Sequence, residues 1–309
     1  MIGFLLHNNR VKIKNIIDFI LLSALWGGSY VFMKFTAGYI EPIVVAESRM
    51  LIAAVCLGFI SLFNRHWWQH MKMTWPQYQK TFVISIFNSV LPFILFTYAM
   101  QSLNAGIGAI LNATSPIWTA IIAAFWLKDR LSPSRLLGLF LGFLGIVLLV
   151  WGKVDFSVGG LGLPFLASIG VTISYGFATN YMKKYCDGIH PIGMTLVSMI
   201  MGSFILAIPA YQYFPTGLVP NIAWIGMVGL GVGSTAIAYF LFYRLIEQTS
   251  PSIAISTTFL VPVFSILWGD IFLHEEPTLR MILCGGVILL GTALAVGILP
   301  IKRVRRASA

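Results

Sequence analysis

Hydrophobic residues in this chain come in long unbroken runs, without the alternation of apolar and polar positions that marks half-buried strands. A helix of about 17 to 25 apolar residues is long enough to cross a bilayer. Connections between runs are often short, as in "QSLNA" at 101–105, so neighbouring helices must be antiparallel. The pattern predicts an all-α integral membrane protein with ten transmembrane helices, at roughly 16–36, 43–62, 81–100, 105–127, 135–151, 161–182, 191–213, 222–243, 250–273 and 279–299.

Composition supports a membrane protein and argues against a large soluble core. Hydrophobic residues make up 58% of the chain and charged residues only 10%, with a mean hydropathy of +0.87. A soluble domain carries about 25% charged residues. The three cysteines, Cys56, Cys186 and Cys284, lie far apart and show neither a disulfide framework nor a metal-binding spacing. We therefore expect no cofactor.

The basic residues cluster on one side of the predicted helices. If the N-terminus is cytoplasmic, all lysines and arginines except Lys34, Arg49, Lys153 and Arg280 fall inside. This positive-inside bias predicts that both termini are cytoplasmic, which requires an even number of spans. The high pI of about 9.7 then reflects contact with anionic membrane lipid and not with nucleic acid. We expect a multi-pass protein of the plasma (inner) membrane.

The two halves of the chain repeat each other. At a shift of 149 positions, Gly27 falls on Gly176 and Lys34 on Lys183, and at a shift of 146, Pro116 falls on Pro262. Residues 1–152 and 153–309 are thus predicted to be two copies of one five-helix unit. Because five is odd, the second copy enters the membrane from the opposite side. Such inverted repeats are typical of secondary transporters.

The repeated segments also resemble a known family. The stretches "LLSALWGGSYVFMK" (21–34) and "SRMLIAA" (48–54), with the paired segments around Pro116 and Pro262, resemble the EamA-type carriers of the drug/metabolite transporter superfamily. The resemblance covers nearly the whole chain. It implies ten-helix inner-membrane carriers, mostly regarded as exporters of amino acids and other metabolites, with a central cavity lined by helices 1, 3, 4, 6, 8 and 9. The acidic residue usual after the fourth and ninth helices is present as Asp129 and as Glu275–Glu276.

Polar and aromatic side chains inside the spans indicate a substrate site. Polar groups are costly in lipid, so they tend to face a cavity or another helix. Several of these residues are equivalent in the two copies, which favours the cavity, although hydrogen bonds between helices or core packing would explain each of them alone. The predicted substrate-binding residues are Trp26, Tyr30, Asn88, Asn112, Tyr175, Asn180, Ser234, Tyr239 and Thr258.

A second set of residues is predicted to form hinges or gates. Pro116 and Pro262 lie inside spans and should interrupt their helices, either as bending points or as harmless kinks. Lys34 lies near the outer face, where it would either snorkel to the interface or act in a gate, pairing with Glu47 across helices. Arg49, the residue of the second helix that matches the family, is placed a few residues from its outer end. No acidic residue is placed at mid-membrane, so we expect facilitated diffusion or a proton route that the sequence does not reveal.

These features predict a carrier that exports small organic metabolites, such as amino acids, by alternating access. The sequence contains no Walker A motif, which a nucleotide-driven pump would need. A membrane enzyme acting on lipid or isoprenoid is a rival interpretation, but the loops are short and poor in acids, so we expect no enzyme. A channel, an importer and an exchanger also stay open; a nucleotide-sugar exchanger would carry basic residues in its cavity, and mid-span lysines or arginines are missing. Both a monomer and a homodimer are compatible with the sequence.

Replacing Asn112 with leucine tests the predicted site. The change removes one amide from the cavity and keeps a similar volume, so we expect the protein to fold and transport to be lost. Expression and uptake or efflux would be measured together, because unchanged transport by a normally expressed variant would contradict the site.

Overall fold

The structure is a computed structural model that describes residues 13–63, 72–129, 131–152, 154–157 and 159–297. Both chain termini and Lys153 lie outside these residues, and so does the prediction that the termini are cytoplasmic. The described residues are almost entirely helical and contain no β-strand. In lipid, only helices and closed barrels satisfy every backbone hydrogen bond internally, which is why an apolar chain of this kind folds as a helical bundle.

Ten helical segments follow one another along the described chain. Eight of them (α1–α8) are long and apolar enough to cross a membrane, and a ninth qualifies if the bent α9 is one span. The last, α10, is apolar but shorter, so the prediction of ten spans remains a prediction. The segments are α1 Ile13–Thr36, α2 Pro42–Phe63, α3 Trp75–Met100, α4 Ala105–Trp126, α5 Pro133–Val150, α6 Gly162–Tyr185, α7 Pro191–Gln212, α8 Asn221–Gln248, α9 Pro251–Ser256 continuing through Thr257–Phe259 to Val261–Leu273, and α10 Leu279–Ala295.

Two helices extend beyond the predicted apolar runs. Helix α3 begins at Trp75, where the predicted run begins at 81, because its first turn is stabilised at Thr74. There the backbone N–H of Thr74 donates to Oε1 of Gln77 at 2.8 Å. Helix α8 continues to Gln248 through a polar last turn. Hydropathy marks the lipid-facing length of a helix and misses such polar turns.

Equivalent helices of the two halves are irregular at equivalent places. Helix α3 contains a π-helical turn at Ile86–Val90 and α8 contains one at Gly229–Ile237. Helix α4 is interrupted after Asn112, and α9 bends by 42° between Phe259 and Val261. Each second segment has the predicted proline, Pro116 or Pro262, as its second residue.

The backbone carbonyl that Pro116 leaves without its usual helical donor is that of Asn112. The hydroxyl of Ser115 donates to this carbonyl at 2.7 Å. A helix can be interrupted in lipid only where a neighbouring group restores such a bond. The interruption of α4 is therefore a stable feature of the helix.

Helices of the first half pack mainly on helices of the second half. Helix α1 lies against α8 and α9, and α6 lies against α3 and α4 in the equivalent way. The α2–α7 and α5–α10 pairs each join two equivalent helices. This reciprocal packing is what two copies of one unit, inserted in opposite directions, would produce.

Glycines set the closest of these contacts. A Cβ added at Gly27 would lie 2.7 Å from Cβ of Phe264, and one at Gly176 would lie 2.9 Å from the backbone nitrogen of Thr119. Phe264 and Thr119 occupy the second halves of α9 and α4, directly after the two prolines. The presence of glycine at the equivalent positions 27 and 176 is thus explained by one contact that is made twice.

The α5–α10 pair packs through the small-residue pattern "GLFLG" at 138–142. A Cβ at Gly138 would lie 2.4 Å from the backbone nitrogen of Ala295, and one at Gly291 would lie 2.5 Å from that of Gly142. These distances leave room for hydrogen only. The two glycines of this pattern thus let α5 and α10 approach closely.

Alanine substitutions on α10 test this packing. Gly291→Ala should destabilise the protein by about 1–3 kcal/mol, because the new methyl group meets backbone atoms that cannot rotate away. Gly286→Ala is the matched control on the same helix, since nothing lies within 4 Å of its Cβ position; it should be neutral or gain up to about 1 kcal/mol of helix propensity. Thermal unfolding of both purified variants in detergent gives the comparison, and equal melting temperatures would contradict the close contact.

Candidate functional site

Arg49 lies inside the bundle, and its side chain is only 9% exposed. Its Nε donates to Oγ1 of Thr235 on α8 at 2.8 Å. Its guanidinium carbon lies 3.9 Å from the centre of the Phe93 ring on α3. The sequence indicated where Arg49 lies along α2, but the position along a helix does not tell which way a side chain points.

Three tyrosines surround this guanidinium. Tyr30 on α1, Tyr175 on α6 and Tyr239 on α8 all interact electrostatically with Arg49. The side chain of Asn112 interacts with Tyr30, and that of Asn88 with Tyr239. We call this group the arginine cluster; it comprises Tyr30, Arg49, Asn88, Asn112, Tyr175, Thr235 and Tyr239.

Four members of the arginine cluster keep part of their surface accessible: Asn88, Asn112, Tyr175 and Tyr239. The other three are buried. A cation, four hydroxyls and two amides brought together in this way can bind a small polar solute. Five of the predicted substrate-binding residues are brought together here.

The cluster also differs from the predicted site in its helices. Arg49 brings in α2, which was expected to lie outside the cavity, and α9 contributes no side chain to the cluster. Thr235 was missed because it stands in the glycine-rich apolar run "GLGVGSTAI". Its repeat partner is Ser89, another buried hydroxyl residue, and that pairing is the one signal that could have indicated it.

Glu47, two positions before Arg49, points away from the arginine cluster. Its carboxylate accepts a hydrogen bond from Oγ of Ser203 on α7 at 2.7 Å. Both residues line a lateral groove of about 440 Å³ between α2 and α7 whose other walls are apolar. The predicted pairing of Glu47 with Lys34 is wrong.

Four other predicted residues lie outside the cluster. Trp26 packs on Phe242 with ring centres 5.5 Å apart, and its repeat partner Tyr175 lies 6.4 Å from Phe96. The side chains of the remaining three donate to backbone carbonyls. Ser234 donates to that of Leu25 at 2.9 Å and Asn180 to that of Thr119 at 3.0 Å, both on a neighbouring helix, and Thr258 donates to that of Ile255 in its own helix at 2.7 Å.

The two repeat-equivalent lysines form two repeat-equivalent ion pairs. Nζ of Lys34 lies 3.8 Å from Oε1 of Glu275, and Nζ of Lys183 lies 3.0 Å from Oδ2 of Asp129. Glu275 follows α9 and Asp129 follows α4, at the family's usual acidic positions. Because successive helices are antiparallel, the pairs lie at opposite ends of the bundle. We call these the Lys34 end and the Lys183 end.

The two pairs differ in depth. Side-chain exposure is 22% for Lys34 and 14% for Glu275, against 63% and 40% for Lys183 and Asp129. Oε2 of Glu275 also accepts the backbone N–H of Ala105, the first residue of α4, at 2.8 Å. Burial raises the pKa of the Glu275 carboxyl, while the Ala105 amide and the Lys34 ammonium oppose that rise. Of the two equivalent pairs, the one at the Lys34 end thus belongs to a partly buried network, and the one at the Lys183 end is exposed.

A third ion pair at the Lys183 end was missed from the sequence. Nε of Arg244 donates to Oδ2 of Asp18 at 2.8 Å, linking α8 to α1. Asp18 is 2% exposed. Asp18 lies at the start of the first apolar run, and this position could have predicted an ion pair, because an acidic residue in such a run needs a partner.

Comparisons with known proteins agree with this architecture. The model of the EamA-like transporter family matches residues 14–151 and, a second time, residues 162–297. A solved crystal structure superimposes with a TM-score of 0.66 at 15% identity, covering 94% of this chain and 99% of the other. At that identity the likeness concerns the fold alone.

Relatives over most of the chain are named as transporters. An uncharacterized transporter of Archaeoglobus fulgidus is 25% identical over 89% of this chain and 96% of its own length. The uncharacterized transporter YvbV of Bacillus subtilis is 27% identical over 88% of each chain. A protein of Chlamydia trachomatis named as an S-adenosylmethionine/S-adenosylhomocysteine transporter is 23% identical over 87% of this chain and 85% of its own.

The raised pKa of Glu275 predicts a pH dependence. A carboxyl whose pKa is raised by folding adds stability below its ordinary value of about 4.5 and loses that contribution as pH rises through the raised value. The melting temperature of the wild type relative to Glu275→Gln should therefore fall as pH rises from about 4.5 towards 8. The same series on Glu276→Gln, at the exposed neighbouring position, is the control. A pH-independent difference for Glu275→Gln would contradict the effect of burial.

Proposed function

The chain belongs to the EamA-like transporter family, and we propose that it is a secondary transporter that carries small organic metabolites by alternating access. Residues 1–152 and 153–309 are its two inverted five-helix units. The arginine cluster is the substrate site. It carries the proposal because it brings together polar side chains of both units. They come from α1, α2, α3 and α4 of the first unit and from α6 and α8 of the second.

The ion pairs supply the gates of this mechanism. Each one joins one unit to the other: Lys34 of the first unit meets Glu275 of the second, and Lys183 of the second meets Asp129 of the first. Breaking one pair while the other holds would open the bundle at one end only. Pro116 and Pro262 interrupt the helices that precede Asp129 and Glu275, and they are the proposed hinges.

The side chains of the arginine cluster support the proposed substrate, and the distribution of basic residues supports the proposed orientation. The cation, hydroxyls and amides of the cluster suit amino acids or related solutes, and the Chlamydia relative is named for a solute that contains an amino-acid group. The excess of basic residues supports an orientation in the plasma membrane with the Lys183 end and both termini in the cytoplasm. Export is the proposed direction, which the solute gradient sets. The names of the relatives favour transport over an enzyme acting on lipid.

Reversible cross-links at either end test alternating access. In a variant without native cysteines, the pairs Lys34→Cys with Glu275→Cys and Lys183→Cys with Asp129→Cys would be joined by a thiol-reversible bifunctional reagent. Saturable efflux of amino acids from proteoliposomes should fall by about tenfold or more with either cross-link, because a carrier must open at both ends. It should return on reduction.

Each single cysteine variant, treated with the same reagent, controls for modification without bridging. Full transport with one end cross-linked would sink the alternating-access mechanism. A flux that does not saturate with solute concentration would favour a channel.

A further inference from the structure

We propose that Arg49 binds the carboxylate of the transported solute, so that the substrates are monocarboxylates such as amino acids. The inference rests on the proposed function and assigns its substrate class. Its starting point is the state of the Arg49 charge inside the bundle.

Arg49 is a buried cation without an acidic partner among the described residues. The ion pairs of that part of the chain join Lys34 to Glu275, Lys183 to Asp129, and Arg244 to Asp18. Removing a charge from water without a counter-charge costs several kcal/mol. A bound anion would offset this cost, because it would supply the missing counter-charge at the place where the two halves of the bundle meet.

The contacts of Arg49 leave its terminal nitrogens available. Nε is used by Thr235, and one face of the guanidinium rests on Phe93. Within the described chain, neither terminal nitrogen makes a protein hydrogen bond, and neither is sealed from the accessible space. Two parallel N–H groups held in one plane match the two oxygens of a carboxylate.

The surroundings favour a single negative charge. The rest of the arginine cluster is neutral: three hydroxyls of tyrosine, one of threonine and two amides. A phosphate monoester carries nearly two charges at neutral pH and would need a second cation, which the cluster does not contain. The Tyr175–Phe96 and Tyr30–Phe96 ring pairs add an apolar wall beside the same site. This wall suits a solute with an apolar or aromatic body.

Ligand-induced thermal shifts of the purified full chain in detergent test this assignment. The probes are L-phenylalanine, L-methionine and S-adenosylmethionine, each paired with an analogue that lacks the carboxylate: the amides of the first two and decarboxylated S-adenosylmethionine. Phenyl phosphate is the phosphate probe. We expect at least one carboxylate probe to raise the melting temperature and its analogue to bind about 10- to 100-fold more weakly, as for a lost hydrogen bond to a charged group.

Substitutions of Arg49 provide the second arm. Arg49→Gln should weaken binding of the same probe by a similar factor. Arg49→Lys should keep part of the affinity, because it retains the charge but loses the planar pair of donors. Arg135→Gln, the same exchange in the first turn of α5, is the matched control and should bind like the wild type. If Arg49→Gln does not fold, the lysine variant and the analogue pairs on the wild type still decide the question.

The outcomes separate this inference from the proposed function. Equal shifts from acids and their analogues, a shift from phenyl phosphate alone, or no shift from any carboxylate probe would overturn the role of Arg49. Efflux from proteoliposomes of any solute would leave the proposed function standing in each of those cases. Selective carboxylate binding by folded protein that transports none of the probes would support the site and count against transport.

Discussion

Lipid gives these helices no hydrophobic reason to associate, because a neighbouring acyl chain is as apolar as a neighbouring leucine. The bundle therefore depends on places where two backbones come within contact distance. Gly27 and Gly176 provide this contact between α1 and α9 and between α6 and α4, and Gly138 and Gly291 provide it between α5 and α10. The contacts come in equivalent pairs and most of them join the two halves, so each half is held mainly by the other.

The polar groups between the two halves lie at three places along the bundle. Ion pairs lie at the two ends of the bundle, where both members can reach the interface with water. The arginine cluster lies between them, where a charge is most costly. A helix contact needs only small residues, so a guanidinium surrounded by neutral groups at the centre is best explained by a negatively charged ligand.

The two repeat-equivalent ion pairs differ in depth. Lys34 and Glu275 are mostly shielded, and the Ala105 amide adds a second bond to the same carboxylate. Lys183 and Asp129 are mostly exposed. A surface pair contributes little stability, and for a shielded pair the cost of desolvation offsets much of the attraction. Each end of the bundle has one shielded pair that joins the two halves, Lys34–Glu275 at one end and Arg244–Asp18 at the other.

The sequence alone predicted the helical class, most helix positions, the repeat, the two proline interruptions and the family, because each of these depends on local hydropathy or on a fixed spacing of residues. It also proposed Tyr30, Asn88, Asn112, Tyr175 and Tyr239 as candidates, since polar groups in apolar runs are conspicuous. Only the tertiary structure decided that these five meet around Arg49, that Ser234 and Asn180 bond to neighbouring helices, and that Lys34 pairs with Glu275 and not with Glu47. Those facts depend on the rotation of each helix about its own axis, which is set by glycine contacts between helices that are distant in the sequence.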